Sequence, residues 1–271
     1  VSSSTWLQSF DSNGFSLGTS GGLNGSGNNY VAWCWKAAGA TVTNQDGSIT
    51  SQVSVNQDAG FSIVSYTGNG TSNATVGHGL NKEVKFMITK SRTTTDNWVV
   101  HTDATGTQTY SFLNTTAAPT TDSVAAPTSS VFYRGTANTI NGSNLTYVSY
   151  CWAEIEGYSK FGSYVGNVST DGPFVYCGFK PALVIVKALD RSDSWGIFDS
   201  SRDSVNPVQN LLRAESSNAE ATMQSLVSNP FADFLSNGFK IRNTSTIDNY
   251  AGEDYIFMAF AESPFQTANA K

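Results

Sequence analysis

The chain is 271 residues long with 39% hydrophobic and 12% aromatic residues, enough for real cores and more than one domain. Only 13% of residues are charged, so Ser, Thr, Asn and Gly fill the surface, as is common in extracellular and virion β-proteins. A net charge of −6 with no basic cluster argues against nucleic-acid binding, and no apolar run is long enough to span a bilayer.

Val1-Ser2-Ser3-Ser4 has neither an initiator Met nor a charged leader region, which reads as a truncated or processed start. In residues 1–38 the run Phe10-Asp11-Ser12-Asn13-Gly14-Phe15-Ser16-Leu17-Gly18 passes through a Gly/Asn-rich turn into Tyr30-Val31-Ala32-Trp33-Cys34-Trp35. Asn-Gly marks a turn because both residues tolerate positive φ. The aromatic run reads as a strand. It returns as Tyr147-Val148-Ser149-Tyr150-Cys151-Trp152 and as Tyr255-Ile256-Phe257-Met258-Ala259-Phe260, offsets of 147 − 30 = 117 and 255 − 147 = 108. A unit of domain size is therefore repeated. Residues 1–38 hold only the tail of a first copy, and half a sandwich needs missing chain or a neighbouring surface to cover it.

Side chains alternate across a strand, so each copy of this run has two faces. Val148, Tyr150 and Trp152 form the bulkier one, matched by Val31, Trp33, Trp35 and by Ile256, Met258, Phe260. That face is expected to point into the core, with the mixed Tyr147, Ser149, Cys151 face also covered, as in a central strand.

Residues 39–59 read as a polar connector, with a turn at Asn44-Gln45-Asp46-Gly47. Ile49, Ser51, Val53 and Val55 alternate well enough for one linking strand. The second repeat then opens at Gly60 to Asn69 and the third at Tyr158 to Asn167. Phe86 to Lys90 and Leu183 to Lys187 follow, and the two copies run without a gap to Asp96-Asn97-Trp98 and Asp193-Ser194-Trp195. An apolar strand, a polar tip and a Trp-led return describe a hairpin. Beyond it the copies diverge. Thr115 to Thr128 reads as a loop, while Ala214 to Met223 is the one plausible helix, ended by Asn229-Pro230. Phe234 to Arg242 repeats the Phe10 to Gly18 run with its Asn-Gly turn, and Gln266 to Lys271 is a polar tail.

Candidate chemistry is sparse. His78 and His101 lie in no metalloprotease-type spacing, and no GxSxG, GxGxxG or Walker A loop is present. Glu154 and Glu156 offer a carboxylate pair of the kind glycoside hydrolysis needs, but alternate positions at a strand end read as a solvated edge. Asp96 and Asp193 supply one carboxylate per hairpin, too few for Ca²⁺, and read as turn caps. Trp98 and Trp195 fit either sugar-stacking platforms or strand-starting core residues, and core is the reading favoured here. Cys34, Cys151 and Cys177 form no disulfide framework and read as small buried hydrophobes. Eight Asn-x-Ser/Thr triplets, Asn24, Asn69, Asn73 and Asn167 among them, match chance in so Asn-, Ser- and Thr-rich a chain. No catalytic, cofactor-binding or metal-ligating residue is expected, no cofactor is expected, and no receptor-binding residue is assigned.

Several strings carry a resemblance: Phe10 to Gly18, Tyr30 to Lys36, Phe61 to Gly68, Ala74 to Leu80, Phe234 to Arg242 and Tyr255 to Phe265. The chain resembles repeat-containing structural proteins of marine tailed bacteriophages, often labelled tail-fibre-like or of unknown function. The resemblance covers nearly the whole chain and implies a virion protein, with no established catalytic residues to carry over.

The expected fold is all-β, with tandem β-sandwich (jelly-roll-like) repeat domains of about 100 residues. The boundaries are 1–38 for the tail of a first repeat, 39–59 for a linker, 60–156 and 157–265 for two complete repeats, and 266–271 for a tail. The expected role is a tail-fibre or surface-fibre component on the virion surface mediating host attachment. Its partners would be other copies of itself, neighbouring virion proteins and a host-surface glycan, without nucleic acid or membrane insertion. A capsid decoration protein and a polysaccharide-degrading tail enzyme are the alternatives, followed by a secreted bacterial adhesin.

Overall fold

A computed structural model describes residues 5–104, 106 and 108–263, so the expected tail at 266–271 lies outside the described residues. The fold is all-β, built from antiparallel sheets, and the chain divides into two units, Val1–Trp35 and Lys36–Lys271.

In the first unit, β1 (Leu7–Asp11) and β2 (Gly14–Leu17) form a hairpin around the expected Asn13-Gly14 turn, followed by one helical turn, α1 (Gly21–Asn24). Tyr30 to Trp35 is not a strand here. The physical reason is hydrogen bonding: an extended run needs a neighbour on at least one side, and none of the described strands pairs with it. Its period-two character survives, with Val31, Trp33 and Trp35 half-buried and Tyr30, Ala32 and Cys34 exposed.

The second unit opens with β3 (Val42–Asn44), β4 (Ser51–Asn56), β5 (Phe61–Thr67), β6 (Ala74–Gly77), β7 (Val84–Ser91) and β8 (Val99–Thr102). It continues with β9 (Thr109–Phe112), β10 (Thr120–Thr121), β11 (Val131–Arg134), α2 (Asn138–Asn141) and β12 (Thr146–Ala153). Strands β10-β9-β8-β7-β12-β5-β4-β3 hydrogen-bond in that order into one sheet, and β11 pairs with β6 in a second, smaller layer. The connector expected at 39–59 is thus no bare linker. Its turn closes a β3–β4 hairpin that extends the sheet beside β5.

The rest comprises β13 (Ser159–Val165), β14 (Phe174–Tyr176), β15 (Pro181–Ala188), β16 (Gly196–Asp199) and β17 (Asn210–Arg213). Then come β18 (Ala221–Thr222), α3 (Met223–Val227), β19 (Ala232–Leu235), β20 (Gly238–Ile241) and β21 (Asp254–Ala261). The order β13-β21-β15-β16-β17-β18 matches β5-β12-β7-β8-β9-β10 strand for strand, and β14-β20-β19 forms the smaller layer. The helix expected at 214–223 lies further on, at α3. Thr222 Oγ1 accepts from the Ser225 N–H and caps its start, and Ser228 closes it in the left-handed conformation. Ala214 to Glu220 has weak apolar spacing and forms turns and loop instead.

The core lies on the opposite face from the one expected. Tyr147, Cys151 and Ala153 join Val64, Val76, Met87 and Phe132 in one buried cluster between the large sheet and the β6–β11 layer. Tyr255, Phe257 and Ala259 do the same with Val184, Phe198, Phe239 and Ile241. Bulk misled the assignment: Cys151 and Ala259 are small yet face the second layer, and Ser149, where the third copy has Phe257, leaves room for the Arg134 guanidinium. The bulky face instead forms a seam between the two large sheets. There Phe86 stacks on Phe161 at 6.1 Å and meets Trp152 and Trp195 edge-on, while Phe161 meets Phe260. Covered on both sides, β12 and β21 are central strands, as expected.

Candidate functional site

Each copy of the aromatic run begins with a tyrosine that closes the loop preceding it. The Tyr147 hydroxyl accepts from the Gly142 N–H at 2.8 Å and donates to the Asn138 carbonyl. The Tyr255 hydroxyl accepts from Tyr250 N–H at 2.9 Å and donates to Thr246 O at 2.8 Å. Tyr30 repeats this with Gly25 N–H and Gly21 O, both at 2.8 Å. In all three, the donor lies five residues back and the acceptor nine. Beside each tyrosine stands an asparagine, Asn24, Asn141 or Asn249, whose amide donates to the carbonyl six residues earlier. Asn141 and Asn249 are fully buried, and loop carbonyls and N–H groups that water would otherwise serve are satisfied by them.

The residues singled out in the sequence do not converge. His78 is buried against Phe132, its Nδ1 accepting from Leu80 N–H at 3.2 Å, and burial holds its pKa down to about 4. His101 lies on β8, 3.1 Å from Asp122 of the loop expected at 115–128. Burial lowers its pKa more than Asp122 raises it, so it stays neutral at pH 7. Glu154 pairs with Lys160 at 2.7 Å and Glu156 is exposed, which is the solvated edge expected rather than two carboxylates across a cleft. Asp193 accepts from the Ser194 N–H at 2.8 Å and Asp96 accepts from the Thr94 hydroxyl, both as turn caps. No group of three or more His, Cys, Asp or Glu suited to a metal occurs among the described residues.

The cysteines divide. Cys151 and Cys177 are buried free thiols whose pKa burial pushes up to about 12, but Cys34, expected buried, is exposed. Its run pairs with none of the described strands. The tryptophans divide too. Trp195 is 1% exposed at the seam, its indole N–H donating to Phe112 O at 3.0 Å. Trp98, expected in the core, is 37% exposed. Its backbone N–H donates to Asn114 Oδ1 at 2.9 Å, and Asn114 Nδ2 donates to Asn97 Oδ1 at 2.9 Å. An exposed indole offers an apolar plate of the kind that stacks on a sugar ring.

Two buried charges escaped the sequence reading. Arg134 is fully buried, with no carboxylate against it among the described residues. Its guanidinium donates to Tyr66, Thr89 and Ser149 hydroxyls at 3.0, 2.9 and 3.1 Å and lies 4.1 Å over the Phe132 ring. Hydroxyls spread across three strands gave no local motif to find. Lys187 donates to Thr116 O at 3.0 Å and Asp193 O at 2.6 Å, and burial lowers its pKa to about 8. It ties the two large sheets together. A small cavity of about 40 Å³ lies apart from all these residues, between Lys180, Asp203, Asn206 and Phe234, and is of water size.

No helix among the described residues is long and apolar enough to cross a membrane. Comparison with curated proteins and with solved structures found no match. The family model described as "Domain of unknown function (DUF7483)" matches residues 1–264, and the chain belongs to that family.

Proposed function

We propose that the protein is a structural component of a bacteriophage virion, a tail-fibre or surface-fibre protein that attaches the particle to its host. In this reading residues 60–156 and 157–265 are tandem jelly-roll-like sandwiches, and residues 1–38 belong to a third such repeat. Support comes from the matching strand orders, the thrice-repeated tyrosine closure, the low-charge surface and the resemblance to marine phage structural proteins. The observation that carries attachment is Trp98, 37% exposed where the return strand begins while its counterpart Trp195 is buried. It gives a host-surface glycan a stacking plate, and the protein acts by binding, without turnover or a cofactor. Copies of the chain associate with one another and with neighbouring virion proteins.

A purely architectural subunit, such as a capsid decoration protein, is the second reading. It is favoured by the apolar surface of the first unit, where Phe10 is 83% and Trp6 52% exposed. Imaging the intact particle at side-chain resolution tests both. Density at the tail or its fibres with Trp98 facing outward is the expected result. Density tiling the shell, with Trp98 between subunits, refutes attachment and leaves the architectural role.

A further inference from the structure

The tyrosine closures of the second and third copies are occupied sockets, and their occupants share a motif. In the second copy Tyr66 stacks on Tyr147 with ring centroids 5.2 Å apart, and its hydroxyl donates to Ile140 O at 2.7 Å. In the third, Tyr164 stacks on Tyr255 at 5.3 Å and donates to Asp248 O at 2.7 Å. Two residues later a glycine passes so close that a Cβ would stand 2.5 Å from Gly142 O at Gly68, or 2.2 Å from Tyr250 O at Gly166. The next residue is asparagine. Its N–H donates to Asn141 Oδ1 at 3.0 Å from Asn69, and to Asn249 Oδ1 at 2.9 Å from Asn167. The occupant in both cases is an extended Tyr-x-Gly-Asn segment, at Tyr66–Asn69 and Tyr164–Asn167. Each of its three fixed residues answers a separate demand: ring stacking, clearance from a carbonyl, and a placed backbone donor.

The first unit builds the same socket. Tyr30 holds its Gly21–Gly25 loop by the same two hydrogen bonds, and Asn24 donates to Gly18 O at 2.9 Å as Asn141 does to Gly135 O. Yet Tyr30 is 49% exposed and Asn24 is exposed, where Tyr147, Asn141, Tyr255 and Asn249 are at 0%. The hairpin beside it agrees: Phe10 and Phe15 are exposed at 83% and 37%, where their third-copy counterparts Phe234 and Phe239 are at 2% and 0%.

We infer that the first unit is a preformed binding site for an extended polypeptide segment bearing Tyr-x-Gly-Asn. The bound segment stacks its tyrosine on Tyr30, lays its glycine over the Gly25 loop and donates its asparagine N–H to Asn24 Oδ1. Recognition is by main-chain hydrogen bonds with side-chain pockets for selectivity, the physics of strand addition. This holds wherever in the particle, or outside one, the protein works.

The test is fluorescence anisotropy of a labelled peptide of residues 159–170, which contains Tyr164 to Asn167, titrated with the full chain. Saturable binding is expected. It weakens by at least about tenfold when the peptide carries Tyr164→Ala, and by a similar factor when the protein carries Asn24→Leu. Asn24 is on the surface, so the variant keeps its fold, and it separates this socket from exchange into the third copy. Absence of saturable binding, or binding unchanged by Asn24→Leu, overturns the proposal. So does self-association of the chain that Asn24→Leu abolishes without any peptide binding, which assigns the socket to a second copy.

Discussion

Asp248 is a carboxyl with no charge partner, fully buried beneath the third tyrosine closure. One oxygen accepts from Asn243 Nδ2 at 2.9 Å, and Oδ1 has no hydrogen-bond partner among the described residues. Burial pushes its pKa up to about 8, against 3.8 for a free aspartate. The folded state therefore keeps the proton through neutral pH while the unfolded chain releases it. Stability from this group is fully present below about pH 4 and is lost as pH rises towards 8, at about 1.4 kcal/mol per pH unit. Asp248→Asn preserves the shape, still accepts from Asn243 and has no proton to lose. The variant should match the wild type near pH 4 and exceed it by about 5 kcal/mol at pH 8, with no further gain above. Urea unfolding followed by tryptophan fluorescence, at unit steps from pH 4 to 9, measures this difference directly. A difference that stays flat across the range, or that grows towards acid, refutes the assignment of a neutral buried carboxyl.

His78 gives the opposite slope. Its folded pKa of about 4 lies below the free value of 6.5, so the native state resists protonation. Wild type should lose about 3 kcal/mol as pH falls from 6.5 to 4, a loss absent from His78→Gln in the same unfolding assay. Thiol labelling of the native protein should modify Cys34 alone among the three cysteines, with Cys151 and Cys177 reacting only on unfolding. Mass spectrometry of the labelled peptides reads the outcome. Trp195→Ala should cost about 3–5 kcal/mol through the lost seam packing, and Trp98→Ala no more than about 0.5 kcal/mol. If Trp98 meets glycan, Trp98→Ala removes binding to host-surface polysaccharide, measured by isothermal titration calorimetry, while leaving the unfolding midpoint in place.

Strand content and hairpins were legible because they are local. Asn13-Gly14, Asn44 to Gly47 and the Trp-led returns are turn chemistry written in adjacent residues, and the copies confirmed one another's spacing. The core face was not legible. Val148, Tyr150 and Trp152 against Tyr147, Ser149 and Cys151 is a choice between bulk and close approach, and only the second layer decides it. Arg134 illustrates the same limit: its counterpart on β20 is Ile241, and three hydroxyls from distant strands make an arginine tolerable where the other copy has an aliphatic residue. Tyr30 to Trp35 failed for the reverse reason. Its sequence is strand-like, but extended structure is a property of neighbours. The tyrosine closures were visible as a repeated Tyr, while their function as sockets needed the hydroxyl contacts nine residues back.

The register of β13 against β21 also sets how the third copy responds to tension. Ser159, where the chain enters, pairs directly with Phe260, where it departs, and β12 likewise departs beside Phe61 at the start of β5. Pulling on the two ends of the third copy loads the Ser159–Phe260 rung first and opens the strands one rung at a time, like a zip. A shear geometry would share the load among all rungs. The Tyr164–Tyr255 stack stands at the far end of the same pair and is the last to feel the force. Under tension such a unit gives way early and softly where the chain enters and leaves it, while the far end of the strand pair keeps its shape.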